Sequence, residues 1–285
     1  MSNIADRQHK FGQVIKQHRY FPQSQTILLY LTDGTVWQSS NEGFSWKQLY
    51  EGQTFLGVFM HEFAPDRAYL ITNQRKLYYT TDTGKSWNSV STPMEPNNLG
   101  IPILDVHPTK ADWLIYTGST DCVSTLSTNC HAVAYYSTNH GRSWKEIERY
   151  VKTCSWARDK RLKVDEREII CESYKNKKGS QLSSDFNPME LIAGKNYYSS
   201  KIKLFDSVVG FASFSEYLLV AEVSLHRSLC PMVTYLQLHE RAGTLSLQVS
   251  LDGYHFSEGQ FPPSMRIENR VSIGIPSLCG RVADE

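Results

Sequence analysis

The chain has almost no excess of charge: 30 Lys and Arg stand against 29 Asp and Glu, for a formal net charge of +1. That balance gives no basis for nucleic acid or an anionic membrane surface as the main partner. Long apolar runs are also missing. The longest mostly apolar passage, Ser207 to Val223, is 17 residues and carries Ser213, Ser215, Glu216 and Glu222, too short and too polar to span a bilayer. The opening MSNIADRQHKFGQVIKQHRYF has no apolar core of the length a secretory leader needs. No Asn begins an Asn-x-Ser/Thr glycan acceptor, which counts against long residence in the secretory pathway. Nor is there a Gly-rich phosphate loop or a Gly-x-Ser-x-Gly elbow.

The 285 residues are 40% hydrophobic, enough for one large all-β domain or two ordinary ones. Aromatics make up 12% and fall beside Ser, Thr and Gly rather than in Ala/Leu/Glu-rich runs, a composition that favours strands. Six cysteines stand at 122, 130, 154, 171, 230 and 279, four of them close together in loop-like stretches. Such clustering suits an oxidising compartment and conflicts with the missing leader.

An internal repeat organises the chain. SSNEGFSW (39–46), TTDTGKSW (80–87) and STNHGRSW (137–144) share Ser/Thr, x, Asp/Asn, x, Gly, x, Ser, Trp. A fourth, weaker copy, SLDGYHF (250–256), keeps Ser250 and Asp252 and is one residue shorter. The starts are 41, 57 and 113 residues apart, so the last interval holds room for one repeat without a box, around Leu182 to Ile192. Upstream of the first two boxes the pattern reads strand, turn, strand, with Thr32 to Gly34 and Asn73 to Lys76 as turns. Each unit is therefore about four short strands, the size of a propeller blade.

Hairpin chemistry accounts for the box. Gly43, Gly84 and Gly141 can take positive φ, while Asn41, Asp82 and Asn139 can accept hydrogen bonds from turn amides. Ser39, Thr80 and Ser137 can close the same network, and Trp46, Trp87 and Trp144 can bury flat surface between blades. A catalytic group is needed once, a blade-building group in every blade, so repetition favours architecture over chemistry.

Ser-x-Asp-x-Gly-x-x-Trp is the Asp-box, which occurs in sialidases, some glycoside hydrolases, photosystem assembly factors and sortilin-type sorting receptors. The order FAPDRAYLITNQRKLYYTTDTGKSW, ILDVHPTKADWLIYTG, CHAVAYYSTNHGRSWKEI, then CSW and Cys171, resembles the N-terminal part of the lumenal domain of the sortilin family, and of its fungal vacuolar sorting receptors most of all. The resemblance covers roughly Phe21 to Pro262, including LQVSLDGYHFSEGQFP, but not the final SIGIPSLCGRVADE. It implies an all-β, β-propeller fold of Asp-box blades, about five of the ten in a full member. Residues 1–20 read as an extension, 21–265 as the partial propeller and 266–285 as a tail. The resemblance also implies a fragment of a receptor whose partners are soluble hydrolase precursors or their propeptides, with Cys154 bridged to Cys171. No cofactor is implied, and the membrane is reached only through segments outside this chain. For Cys122 and Cys130, the spacing is too long for a zinc knuckle and favours a local disulfide, though crossed pairings among the four cysteines stay open.

Other constellations compete with these. MRIENR (265–270) is a faint echo of a sialidase Arg-Ile-Pro signature without its Pro. Asp105 and Asp121, at strand ends, are nominal acids for an Asp-box glycoside hydrolase, against the plainer reading of solvated loop carboxylates. His61 begins a His-Glu-x-x-His pattern that ends in Pro65. YKNKKGSQ (174–181) is basic but has no interleaved aromatics for base stacking. If a receptor releases cargo at endosomal pH, histidines such as His107 and His131 are candidates. A truncated product with exposed blade edges and no function of its own is the third reading.

Overall fold

The computed structural model describes residues 9–120, 122, 127–157, 165–182, 189–213, 218–225, 243–251 and 254–259. Asp121, Asp252, Cys230, Cys279 and residues 260–285, MRIENR among them, lie outside the described residues.

Strand-forming residues dominate, and the chain folds as successive antiparallel meanders. The first comprises β1 (Ile15–Tyr20), β2 (Ile27–Leu31), β3 (Val36–Ser39) and β4 (Lys47–Leu49). The second holds β5 (Phe55–Met60), β6 (Ala68–Thr72), β7 (Lys76–Thr80) and β8 (Asn88–Ser91), and the third β9 (Leu104–Val106), β10 (Leu114–Thr120), β11 (His131–Ser137) and β12 (Lys145–Arg149). A seven-stranded sheet follows: β13 (Val151–Trp156), β14 (Ile169–Tyr174), β15 (Met189–Gly194), β16 (Ser200–Ser213), β17 (Leu218–Leu225), β18 (Gly243–Ser250) and β19 (Phe256–Gly259).

One expectation needs correction. Residues 15–20 are not part of an extension, because β1 pairs with β2 from Ile15↔Leu31 to Tyr20↔Ile27. Its side chains are exposed at five of six positions, so backbone pairing makes it a strand and no apolar alternation announces it. Among the described residues the strands form four sheets, and the seven-stranded one holds two repeats, so the repeats number five. The 14-residue β16 pairs through its first half with β15 (Gly194↔Lys201) and through its second with β17 (Ser213↔Leu218). It is the last strand of the repeat without a box and the first strand of the repeat that ends in the weak one, so two blades merge.

Period-two alternation builds the core between sheets. All five residues of β6 are buried. Ala68 and Leu70 face Leu28, Tyr30, Val36 and Tyr78, whereas Tyr69 and Ile71 face Leu104, Val106, Leu114 and Tyr116. Trp156, fully buried, anchors the next layer with Ile115, Tyr136 and Ile169. Successive sheets touch through their first strands, β1 against β5 and β9 against β13, and pack face to face as propeller blades do.

Candidate functional site

The three full boxes each link the third strand of a meander to the fourth, and they superimpose bond for bond. Ser39, Thr80 and Ser137 accept the N–H of Gly43, Gly84 and Gly141 at 2.8, 2.9 and 2.8 Å. The same hydroxyls donate to Asn41, Asp82 and Asn139 at 3.0, 2.7 and 2.9 Å. Those side chains in turn accept the N–H of Ser45, Ser86 and Ser143 at 2.9, 2.9 and 3.0 Å. Burial raises the Asp82 carboxyl, but bonds from Ser86 and Thr80 outweigh it and hold the group below the usual carboxylate range. Each box glycine has positive φ, and so does the residue before it: Glu42, Thr83 and His140. That residue donates its N–H to the carbonyl of Gln25, Asp66 or Asp112 in the first turn of its own sheet. In the fourth copy, Ser250 is buried and pairs with Phe256 across the β18–β19 hairpin.

The box tryptophans reach back to the preceding sheet, half-buried. Trp87 donates to the Gln38 side chain at 2.9 Å, and Gln38 donates to the Gly84 carbonyl at 2.8 Å. Trp144 donates to the Ser91 carbonyl at 3.0 Å. Trp46 instead meets Phe11 from the segment before β1, with ring centroids 5.4 Å apart. Where the repeat has no box, the single turn α1 (Lys195–Tyr198) stands in its place. Asn196 and Tyr197 there take positive φ, and Tyr197 stacks on Tyr136 of the third sheet at 5.0 Å. Neither Gln38 nor Tyr197 carried a sequence signal.

Cys122 is bonded to Cys130, and Cys154 to Cys171, the second pair facing each other across β13 and β14. His61 and His107 cap the turn between first and second strands in sheets two and three. Nδ1 of His61 accepts from Phe63 and Ala64 N–H, both at 3.1 Å; that of His107 accepts from Thr109 and Lys110 at 3.1 and 3.0 Å. The His107 proton therefore sits on Nε2 and is donated to the Glu166 carbonyl at 2.8 Å. Burial, helped by the Arg67 charge, pushes His61 down to about 4, and burial lowers His107 as well. His107 is thus a turn cap whose neutral form the fold favours. His131 stacks on Tyr150 at 4.2 Å and bonds Asn129 through Nδ1.

As the first strands of their repeats, β1, β5, β9 and β13 take the place that lines the channel of a β-propeller, its inner wall, and each stands at the end of its sheet with one edge unpaired in that sheet. Three of these strands carry a bulge at their second residue: Lys16, Leu56 and Lys152. A bulge re-aims its side chain out of the ladder. Between β1 and β5 lies an open recess of ≈ 380 Å3 whose lining includes Lys16, Tyr30, Leu56, Phe59, Ile71 and Ile103. Asp105, the nominal acid, accepts the Trp156 N–H at 2.9 Å and so ties β9 to β13. Two carboxylates that sequence reasoning missed, Glu168 just before β14 and Glu172 on it, are buried and raised by that burial. The Tyr254 hydroxyl donates to Glu168 at 2.5 Å, and Lys152 lies 3.9 Å from Glu172. Among the described residues, no group of three or more His, Cys, Asp or Glu is placed to hold a metal ion.

These features define a run of β-propeller blades, three of which close their last hairpin with the same turn. The chain belongs to the Sortilin-Vps10 family: the model described as sortilin, neurotensin receptor 3, matches residues 34–273, beyond Pro262 where the resemblance in sequence was placed. The vacuolar protein sorting/targeting protein 10 of Laccaria bicolor is 48% identical over 271 residues, 94% of this chain and 17% of that protein. The protein of the same name from Mycosarcoma maydis is 44% identical over 284 residues, 97% of this chain and 18% of its own length. The chain thus spans less than a fifth of these relatives. Among solved structures, an oligogalacturonate lyase in complex with manganese matches with a TM-score of 0.50 at 14% identity, over 84% of this chain and 64% of that one, a likeness of fold alone.

Proposed function

We propose that this chain is a lumenal, cargo-binding segment of a sorting receptor that carries soluble hydrolase precursors from the Golgi to the endosome and vacuole. The observation that carries the reading is the 48% and 44% identity to proteins named for vacuolar sorting. The inner wall supports it physically, because unpaired strand edges offer backbone hydrogen bonds to an extended segment of cargo. The segment works by binding and not by turnover: the Asp105 carboxylate is engaged with a backbone amide, a joining role. Membrane attachment is assigned to parts of the receptor beyond this segment. Among the described residues, no helix is long and apolar enough to cross a membrane.

The test is a pulldown of hydrolase precursors with the full-length gene product. Enrichment over a control with scrambled blades is expected, and its absence would count against a sorting role. Turnover of fluorogenic glycosides that Asp105→Asn abolishes would replace the receptor reading with an enzymatic one.

A further inference from the structure

The recess between β1 and β5 bears on which peptides the inner wall accepts. Its floor is apolar, from Phe59, Ile71 and Ile103, with Leu56 45% exposed at its side. Lys16 stands at the rim, its ammonium 5.4 Å from the centre of the Tyr30 ring, while the Tyr30 hydroxyl is spent on the Phe55 carbonyl at 3.0 Å. Bulges at both Lys16 and Leu56 turn these two side chains out of their ladders at corresponding positions of neighbouring strands.

On the three strands nearest the recess the charge is mostly positive, with Asp33 after β2 acting on Tyr30 from the side. Across β1, β5 and β9 the cations are Lys16 and Arg19, with His18 between them in sequence, and the sole carboxylate is Asp105, held by the Trp156 amide. An incoming carboxylate meets attraction there and an incoming ammonium repulsion. At ≈ 380 Å3 the recess falls at the small end of ligand cavities, which run roughly 300–1,000 Å3, a size for one or two side chains. The neighbouring strand edges add backbone bonds without regard to sequence.

We propose that the recess between β1 and β5 takes an extended peptide bearing an apolar side chain followed by a carboxylate, the apolar group against Leu56 and Phe59 and the carboxylate toward Lys16. The inference rests on the cargo-binding reading but is tested separately from it. Binding of fluorescent hexapeptides to the full chain is followed by anisotropy. The probes are Gly-Ser-Leu-Asp-Ser-Gly, the version with Ser for Leu, and the version with Lys for Asp. The first binds about tenfold tighter than either counterpart, or about 1.4 kcal/mol. Leu56→Gln removes the preference for Leu over Ser, and Lys16→Glu turns the preference from Asp to Lys. Both positions are exposed, so the variants keep the fold, which their melting curves check. Equal binding of the three peptides, binding of none, or an unchanged pattern in both variants overturns the proposal. In the full-length pulldown, capture that survives the double substitution removes the recess and leaves sorting intact. Peptide discrimination without capture by the wild type removes sorting and leaves the recess.

Discussion

Lowering the pH from 7 to 5 should destabilise the second and third sheets through His61. Its Nδ1 can accept the Phe63 and Ala64 amides only while the ring is neutral, and burial beside Arg67 holds its pKa at about 4. In the unfolded chain the group titrates near about 6.5, so the native state binds fewer protons between these values. Stability from this group is complete above the unfolded pKa and is lost as pH falls toward the folded one. The loss is about 2 kcal/mol between pH 7 and 5, and about 3 kcal/mol by pH 4. His107 and His140, lowered by burial, act in the same direction. Glu168 and Glu172 act oppositely: raised by burial, they add stability at low pH that fades as pH rises through their folded values. His61→Asn isolates the effect, since its amide oxygen can take the same turn amides without titrating. Urea unfolding at pH 7 and pH 5 should show a drop about 2 kcal/mol smaller in the variant. An equal drop in both proteins refutes the assignment.

The repeated turn makes two further outcomes checkable by chemical denaturation. Asp82→Ala strips acceptors from Thr80 and from the Ser86 N–H and hydroxyl, and should cost about 1–3 kcal/mol. Asp82→Asn reproduces what Asn41 and Asn139 already do and should cost under about 1 kcal/mol; equal losses would remove the network from the account. Gly141→Ala adds a methyl 2.7 Å from the Trp144 ring at φ +81°, a cost of about 1–3 kcal/mol. Gly52→Ala, at φ +79° in open space, isolates the backbone part, so a variant at 141 no worse than at 52 would deny the packing.

Much of the fold was legible because a propeller repeats its chemistry. Three boxes with Gly at one position and Asp or Asn two before it announce three hairpins, and the spacing left room for a repeat without one. The turn at Thr32 to Gly34 falls between β2 and β3, and that at Asn73 to Lys76 falls between β6 and β7 except for Lys76, which opens β7. The inner wall was not legible. β1 reads as polar because neither of its faces is buried, and the bulges at Lys16, Leu56 and Lys152 are faults of register between strands, invisible in either strand alone.

What the sequence determined by itself is therefore local and periodic: the strands with a buried face, the turns that join them, and the family they belong to. These rest on contacts between residues a few positions apart, which a linear pattern records. Tertiary structure alone decided that Gln38 holds Trp87 and Tyr197 replaces a box. It also turned Asp105 from a candidate acid into a strand tie and made His107 a neutral cap. Each of those roles depends on a partner from another sheet or on burial by one, and the same side chain in solvent would play none of them.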